Sequence, residues 1–167
     1  MNKNGFVFIG IDIGSVSADT VVVDENRNIL EEHYTRTKGQ PLETTFAVLS
    51  EVLTRFPADR IKAVALTGSA GKLIAPLLGA SFTNEVIAQA KATEYFHPEV
   101  RTVIEMGGQD AKLILLAPDR NIQGQAPDGD ARQIRVEDFQ MNSVCAAGTG
   151  SFLDQQATRL KLTIEEF

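Results

Sequence analysis

The sequence is poor in the features that mark secreted, membrane-spanning or nucleic-acid-binding proteins. Its 167 residues contain one cysteine, Cys145, so an internal disulfide framework is excluded and the cytoplasm is the expected compartment. No apolar run approaches the roughly 20 residues that a membrane-spanning helix needs. Basic residues number 16 against 22 acidic ones, which gives a formal net charge of −6. Because nucleic acids and anionic membranes attract basic surfaces, this balance argues against both as partners.

The sequence does contain short apolar runs that alternate with amphipathic helices, and 43% hydrophobic residues to form a core. Strands are predicted at 6–13, 20–23, 29–37, 61–66, 102–105, 111–117 and 133–141. Helices are predicted at 42–56, 73–78, 85–96 and 150–160, the last of them capped by Thr149. Together these elements make an α/β fold.

An internal repeat links the two halves of the chain. Asp12 corresponds to Glu105, 93 positions later; each acid stands two positions before a glycine, and the letters RNI recur at the same distance. Internal repeats indicate duplicated structural units. We therefore expect two lobes that each begin with three strands and a helix: residues 1–98 as a complete first lobe, and 99–167 as the truncated start of a second.

Asp12 interrupts an apolar strand, between two isoleucines. An unpaired carboxylate is costly in a dry interior, so we expect it at the mouth of the strand, bound to a cation or to water. Gly14 and Ser15 follow, and they allow a sharp turn whose successive amides can bind an anion. The alternative is a solvent-facing turn acid, and the repeat of the pattern at Glu105 makes that alternative the weaker one.

The second acidic turn consists of Glu105, Gly107 and Gly108. If the two turns face each other across a cleft, their carboxylates can hold Mg²⁺ while their amides hold phosphate oxygens. Gln109 comes next, and its polar side chain can orient a water molecule against a terminal phosphate. Taken alone, the four residues GGQD are also typical of a simple tight turn.

The segment LTGSAGKL only partly matches a P-loop. Leu66 stands in place of the first glycine of that motif, and Leu73 stands in place of Ser or Thr. What remains is a glycine turn between a strand and a helix, at Gly68. We expect this turn to line the cleft, and the sequence leaves open whether it contacts a ligand.

Cys145 lies in the segment NSVCAAGTGSF, just before a predicted helix. The amides and the dipole at a helix N-terminus favour a thiolate or an anionic cluster. An iron–sulfur cluster usually needs four thiolates, which one cysteine cannot supply. A lone cysteine among alanines is otherwise typical of a small buried hydrophobic residue.

Together these segments resemble the ATP-binding activators of 2-hydroxyacyl-CoA dehydratases and benzoyl-CoA reductases, the BadF/BadG/BcrA/BcrD-type ATPase family. GIDIGS, TGSAGK, EMGGQDAK and FQMNSVCAAGTGSF follow one another in that family's order and spacing. The resemblance implies an actin-like ATPase fold of two ribonuclease H-like halves. It also implies a homodimer with a [4Fe–4S] cluster between its subunits, in which ATP hydrolysis drives a low-potential electron into a CoA-ester dehydratase or reductase.

Carried over by position, the resemblance assigns Asp12 to Mg²⁺ and ATP, Glu105 and Gln109 to catalysis, and Cys145 to the cluster. The other nucleotide-binding positions are Gly14, Ser15, Gly107 and Gly108, to which we add Gly68 from its place in the glycine turn. The sequence departs from the family at Asp19, where lysine is usual, and at Glu105, where aspartate is commoner.

The resemblance predicts an ATPase whose second cluster cysteine and adenosine-binding segment lie beyond Phe167. The 167 residues alone are therefore expected to have weak turnover or none. Two other functions remain open. One is a small-molecule kinase of the same fold, of the amino-sugar type, in which the acidic turns serve ATP and Mg²⁺. The other is a noncatalytic module that senses a nucleotide.

Overall fold

The computed structural model describes residues 5–108, 110–118, 134–142, 149–164 and 166–167. The chain divides into two compact units, Met1–Glu85 and Val86–Phe167. The lobe boundary expected from the sequence, between residues 98 and 99, stays a prediction. Within the described residues, no helix combines the length and the apolar composition that crossing a membrane requires.

The first unit is built on a five-stranded sheet. Its strands are β1 (Val7–Ile13), β2 (Ser17–Asp24), β3 (Ile29–Arg36), β4 (Ile61–Thr67) and β5 (Ser81–Phe82). In the order β3-β2-β1-β4-β5, the first three strands pair antiparallel, whereas β4 pairs parallel with β1 and with β5. The parallel pair brings the ends of β1 and β4 to the same edge of the sheet, where α/β proteins commonly bind ligands.

One face of this sheet forms the core of the first unit. Successive residues of a strand point to opposite faces, and four residues of β1 are buried: Val7, Ile9, Ile11 and Ile13. They form one cluster with Val48 and Val52 of α1 (Pro41–Arg55). Burial of each such side chain is worth about 1.5–3 kcal/mol, so the strand that carries Asp12 is firmly held.

The helix predicted at 73–78 begins earlier and changes its geometry halfway. α2 (Gly71–Ile74) is followed by a 3-10 turn at Ala75–Leu78, which ends at Gly79 with a φ of 61°. Gly79 follows the last residue of the predicted helix and ends it, because glycine adopts a positive φ without strain. A 3-10 turn at Ala58–Arg60 and the strand β5 were not predicted, because they are too short for hydrophobic periodicity to mark.

The second unit contains a three-stranded antiparallel sheet. Its strands are β6 (Thr102–Met106), β7 (Ala111–Pro118) and β8 (Ile134–Met141), in that order across the sheet. The helices α3 (Glu85–Phe96) and α4 (Gly150–Leu160) have the predicted bounds. Val86 and Ala90 of α3 pack with Ile114, Leu116 and Ile134 of the sheet. Residues 119–133, between β7 and β8, lie outside the described residues.

Candidate functional site

The first acidic turn joins β1 to β2 and is a tight hairpin. The Gly14 amide donates a hydrogen bond to the Ser17 carbonyl at 2.9 Å, and the Ser15 carbonyl accepts one from the Thr37 hydroxyl at 2.8 Å. Because its N–H is bonded within the hairpin, Gly14 serves the shape of the turn. The exposed Ser15 is the residue of this turn that reaches solvent.

Asp12 lies in a row of polar side chains that crosses the first sheet. It pairs with Asp19 of β2 and with Thr67 of β4, and Asp19 pairs in turn with Tyr34 of β3. Residues directly opposite each other in a sheet point to the same face, so these four side chains share the face away from the core. Asp12 is half-buried and is the penultimate residue of β1, at the strand end where it was expected.

Gly68 lies directly against Asp12. Its φ is +83°, and a Cβ atom there would lie 2.3 Å from Asp12 Oδ1 and 2.6 Å from the Ile13 carbonyl oxygen. No side chain fits such a gap, so only glycine lets the turn after β4 approach the end of β1 this closely. The Ala70 amide holds the approach by donating to the Ile13 carbonyl at 3.0 Å. Asp12 and Gly68, predicted in separate motifs, therefore form one site.

Thr67 is a residue of this site that sequence analysis missed. Its hydroxyl oxygen is buried and has no hydrogen-bond partner among the described residues. A buried polar group without a partner costs about 1–3 kcal/mol, so this hydroxyl points to a bound water or ligand. Thr67 is also the cross-strand neighbour of Asp12. The signal in the sequence was a threonine that ends an apolar run just before Gly68.

Asp19, where the family usually has lysine, brings a second carboxylate to the same row. Partial burial raises the pKa of Asp19 above its ordinary value, and the Ser17 hydroxyl offsets part of this rise by donating to Oδ2 at 3.1 Å. The departure from the family therefore replaces a positive charge beside Asp12 with a carboxylate that is partly desolvated.

The second acidic turn is packed against the start of α4. The Gly107 carbonyl accepts a hydrogen bond from the Gly150 amide at 2.9 Å, and the Gly108 carbonyl accepts one from the Ser151 amide at 3.1 Å. From the sequence, the amides at this helix N-terminus are expected to favour a thiolate or an anionic cluster at Cys145. Two of them are instead bonded to the glycine turn, so they are not available to a ligand.

Thr149 stands at the N-cap position of α4, but its side chain does not cap the helix. The hydroxyl donates to the Gly108 carbonyl at 3.2 Å, and the Ser151 hydroxyl donates to the same oxygen. Thr149 is therefore the N-cap residue by position, as predicted, but it makes no side-chain capping bond. The hydroxyl is instead directed toward the carbonyl of a turn 41 residues earlier in the chain, to which it donates.

Glu105 is the cross-strand partner of Lys112, which sequence analysis did not single out. Lys112 Nζ lies 2.8 Å from Glu105 Oε2 and 2.8 Å from Asp110 Oδ1. Lys112 occupies a buried position of β7 in register with Ile114 and Leu116. The alternation of the strand was thus a usable signal, because a lysine at a core-facing position needs a partner.

The Gly107 amide closes the second turn by donating to the Asp110 carbonyl at 2.8 Å. A Cβ atom on Gly107 would lie 3.1 Å from Glu105 Oε1 and 3.2 Å from Asp110 Oδ1. The two carboxylates therefore enclose the glycine. On the far side of the turn, the Ala111 amide donates to Asn142 Oδ1 and its carbonyl accepts from the Asn142 amide, both at 3.0 Å. This pair of bonds fixes the chain just before the segment that contains Cys145.

Two of the predicted site residues, Gln109 and Cys145, lie outside the described residues. In the part of the chain that is described, no three His, Cys, Asp or Glu side chains gather as a metal site. A cavity of about 490 Å³ lies at the opposite end of the first sheet, lined by Phe6, Asp24 and Phe56 among others. None of the predicted site residues lines it.

Residues 9–167 match the sequence model of the BadF/BadG/BcrA/BcrD ATPase family. A 2-hydroxyisocaproyl-CoA dehydratase activator from Clostridioides difficile is 30% identical over 167 residues, which cover 95% of this chain and 54% of that protein. The (R)-2-hydroxyglutaryl-CoA dehydratase activating ATPase of Acidaminococcus fermentans is 27% identical over 159 residues, which cover 95% of this chain and 55% of that protein. The chain spans about half the length of these curated relatives.

The fold is similar to that of a solved activator. The activator of the 2-hydroxyisocaproyl-CoA dehydratase from Clostridium difficile, with bound ADPNP, matches with a TM-score of 0.73 and 28% identity. The match covers 96% of this chain and 55% of that one. The family resemblance and the actin-like ATPase fold that it implied are thereby confirmed.

Proposed function

Because the chain belongs to the BadF/BadG/BcrA/BcrD ATPase family, we propose that it binds ATP with Mg²⁺ as part of a cytoplasmic activator. In that activator, ATP hydrolysis is coupled to low-potential electron transfer into a CoA-ester dehydratase or reductase. The observation that carries the proposal is the contact between Asp12 and Gly68 at the ends of β1 and β4. It joins a carboxylate to a glycine turn, and a cation that carries a phosphate needs both.

The residues around Asp12 fit a magnesium ion. Mg²⁺ takes oxygen ligands and is usually bound through one or two carboxylates together with phosphates and water. Asp12 supplies a carboxylate, and the buried hydroxyl of Thr67 supplies an oxygen with no other partner among the described residues. Asp12 would bind the metal, and Thr67 would bind the metal or one of its waters. A bound Mg²⁺ neutralises part of the charge of the terminal phosphates.

In the second unit, we assign Glu105 and Gln109 to the attacking water, and the turn of Gly107 and Gly108 to the phosphate. Gly107 shapes this turn, because its amide is bonded to the Asp110 carbonyl. Glu105 is a partly buried carboxylate at the end of β6, beside the glycine turn. A carboxylate fixed next to a phosphate can accept a proton from water, and an amide side chain can orient that water. In the first turn, Ser15 is assigned to the nucleotide, and Gly14 to the shape of the hairpin that presents it.

The electron-transfer part of the proposal rests on the family and on Cys145. A [4Fe–4S] cluster needs four thiolates, whereas these 167 residues contain one cysteine. Two copies of them supply two thiolates, so a cluster shared by a homodimer also requires cysteines from outside these residues. The CoA-ester dehydratase or reductase that would receive the electron is likewise part of the proposal.

The ATPase proposal is tested on the full-length protein, purified without oxygen. We expect ATP hydrolysis that depends on Mg²⁺ and is abolished by Asp12→Asn. Asp59→Asn, which changes an exposed acid of the first unit, is the matched control and should keep the activity. Binding of ATP without hydrolysis would favour the nucleotide-sensing module, and absence of binding would end the proposal.

The cluster is tested by the iron content of the same preparation. We expect Cys145→Ala to remove the iron, and stoichiometric iron in that variant would contradict the assignment. ADP formation that depends on an added sugar and survives Cys145→Ala would point to the kinase. That alternative is not favoured, because the similar proteins named above are dehydratase activators.

A further inference from the structure

Lys112 is a buried ammonium group that holds two carboxylates beside the second acidic turn. Its Nζ lies 2.8 Å from Glu105 Oε2 and 2.8 Å from Asp110 Oδ1, and its side chain is 3% exposed. Burial strips an ammonium group of its hydration, so a lysine is retained there only with charged partners. Binding a nucleotide does not by itself require this lysine.

The position of the ammonium group is set by the sheet. Glu105 and Lys112 are direct cross-strand partners in β6 and β7. Lys112 lies on the same face of β7 as Ile114, which is fully buried in the core of the second unit. Hydrophobic packing therefore fixes the strand that carries the ammonium group. The ion pair with this group in turn fixes the position of the Glu105 carboxylate.

The two oxygens of Glu105 have different surroundings. Oε2 is the one bonded to Lys112. Oε1 lies beside the glycine turn, only 3.1 Å from the place that a Cβ atom on Gly107 would occupy. Lys112 thus donates to Oε2, whereas Oε1 lies beside the glycine turn that is assigned to the phosphate.

A metal ion is not expected between Glu105 and Asp110, because Lys112 already lies there as a cation. A second positive charge next to the ammonium group would be repelled, strongly so in a site with little water.

We propose that Lys112 is a positioning residue that occupies the cation position between Glu105 and Asp110. It thereby prevents Glu105 from binding Mg²⁺ and leaves this carboxylate to accept a proton from water. This role rests on the proposed ATPase function. In the step, the water oxygen forms a bond to the γ-phosphorus, and the bond between that phosphorus and the ADP oxygen breaks. Glu105 Oε1 accepts the proton that the water loses.

The test is a double-mutant cycle on the kcat of the full-length protein. Glu105→Gln should lower kcat by about 100-fold or more, the range that general-base catalysis contributes. Lys112→Met should lower it by about tenfold or more. The double variant should be no slower than Glu105→Gln within about twofold, because a residue that acts only through Glu105 has nothing further to remove. Lys112→Arg, which keeps the positive charge, should recover most of the rate.

A second measurement separates the metal from the proton acceptor. The Mg²⁺ concentration that gives half-maximal ATP binding, measured by calorimetry, should be unchanged within about twofold in Glu105→Gln and raised by about tenfold or more in Asp12→Asn, which loses a direct ligand. A rise in Glu105→Gln would overturn the proposal, because it would make Glu105 a metal ligand. Lys91→Met is the matched control, since Lys91 is an exposed lysine of α3 paired with Glu94, and it should change neither quantity.

Other outcomes also decide the matter. Effects of Glu105→Gln and Lys112→Met that multiply in the double variant, or an unchanged kcat in Lys112→Met, would overturn the positioning role and leave the ATPase function standing. No hydrolysis by the unmodified protein would overturn the function, and this role with it. Circular dichroism checks the fold of each variant. If Lys112→Met does not fold, the cycle is run in the Asp110→Asn background, which removes one of the unpaired charges.

Discussion

Gly68 and Asp12 are in contact across the ends of β4 and β1, and the contact exists only because residue 68 has no side chain. A Cβ atom at residue 68 would lie 2.3 Å from Asp12 Oδ1. The acid that interrupts the apolar sequence of β1 is thus enclosed on one side by the backbone of the next motif. The segment that contains Gly68 only partly matches a P-loop. Its glycine nevertheless has a structural role, because the absence of a side chain leaves the space that the Asp12 carboxylate occupies.

Gly68→Ala should destabilise the protein by more than the backbone strain of an alanine at a positive φ, because its Cβ atom also clashes with Asp12 and Ile13. The matched control is Gly79→Ala, because Gly79 also has a positive φ, of +61°, but has no atom within 4 Å of the place where its Cβ would be. We expect Gly79→Ala to lower the free energy of unfolding by about 1–2 kcal/mol, the cost of the left-handed conformation. Gly68→Ala should lower it by at least about 2 kcal/mol more, from the clash. Urea unfolding measures both, and equal losses would contradict the contact.

Thr67→Val should stabilise the protein and weaken nucleotide binding. The substitution removes a buried hydroxyl that has no partner among the described residues, so we expect a gain of about 1 kcal/mol in the absence of nucleotide. If Thr67 serves Mg²⁺, the affinity for MgATP should fall by about tenfold, which calorimetry measures.

Thr20→Val is the matched control for Thr67. Its hydroxyl is also buried and unpartnered among the described residues, but Thr20 lies on the core face of β2, in register with Ala18 and Val22. It should give a similar gain in stability with no change in MgATP affinity. A loss of affinity in both variants would show that the effect does not come from a ligand at Thr67.

Much of the fold follows from patterns that a strand or helix carries within itself. The alternation of β1 predicts its buried side, and α3 has the bounds that the sequence predicts. The site is different, because its defining contacts join segments that are far apart in the chain. Nothing local in LTGSAGKL shows that Gly68 meets Asp12, and nothing local in GTGSF shows that Thr149 donates to Gly108.

Lys112 is an intermediate case. The period of β7 marks its position as buried, so the sequence indicates that this lysine needs a charged partner. Which acid serves as the partner depends on the register of β6 against β7, and a shift of one residue would exchange the faces. Burial was therefore predictable for this residue, whereas its geometry with Glu105 and Asp110 was not.

Asp19→Asn should stabilise the protein at neutral pH. Partial burial raises the pKa of Asp19 above its ordinary value of 3.8, so just above pH 3.8 the folded chain keeps a proton that the unfolded chain has released. Stability attributable to Asp19 therefore falls as the pH rises through this window. The variant should be more stable than the unmodified protein at neutral pH and equal to it in acid, as measured by urea unfolding across the range. A constant difference at all pH values would contradict this origin.

Glu31→Gln should show the opposite sign. The Arg55 guanidinium donates a hydrogen bond to Glu31 and lowers the pKa of that carboxyl below its ordinary value of 4.5, with a smaller contribution from His33. The stabilisation is complete above pH 4.5 and is lost as the pH falls through the lowered pKa. Glu31→Gln should therefore be less stable than the unmodified protein at neutral pH, and the difference should vanish in acid. The same unfolding series checks both acids.

Gly107→Ala and Gly14→Ala test whether the two turns of the repeat are equivalent. A Cβ atom on Gly14 would meet the Ser17 carbonyl at an ordinary 3.5 Å, whereas one on Gly107 would lie 3.1 Å from Glu105 Oε1 and 3.2 Å from Asp110 Oδ1. We expect Gly14→Ala to change the free energy of unfolding by less than about 0.5 kcal/mol. Gly107→Ala should lower it by about 1–3 kcal/mol, because the added methyl group pushes both carboxylates away from Lys112. Equal effects on urea unfolding would mean that the carboxylates move aside freely, and a carboxylate that moves so easily would not be held by Lys112.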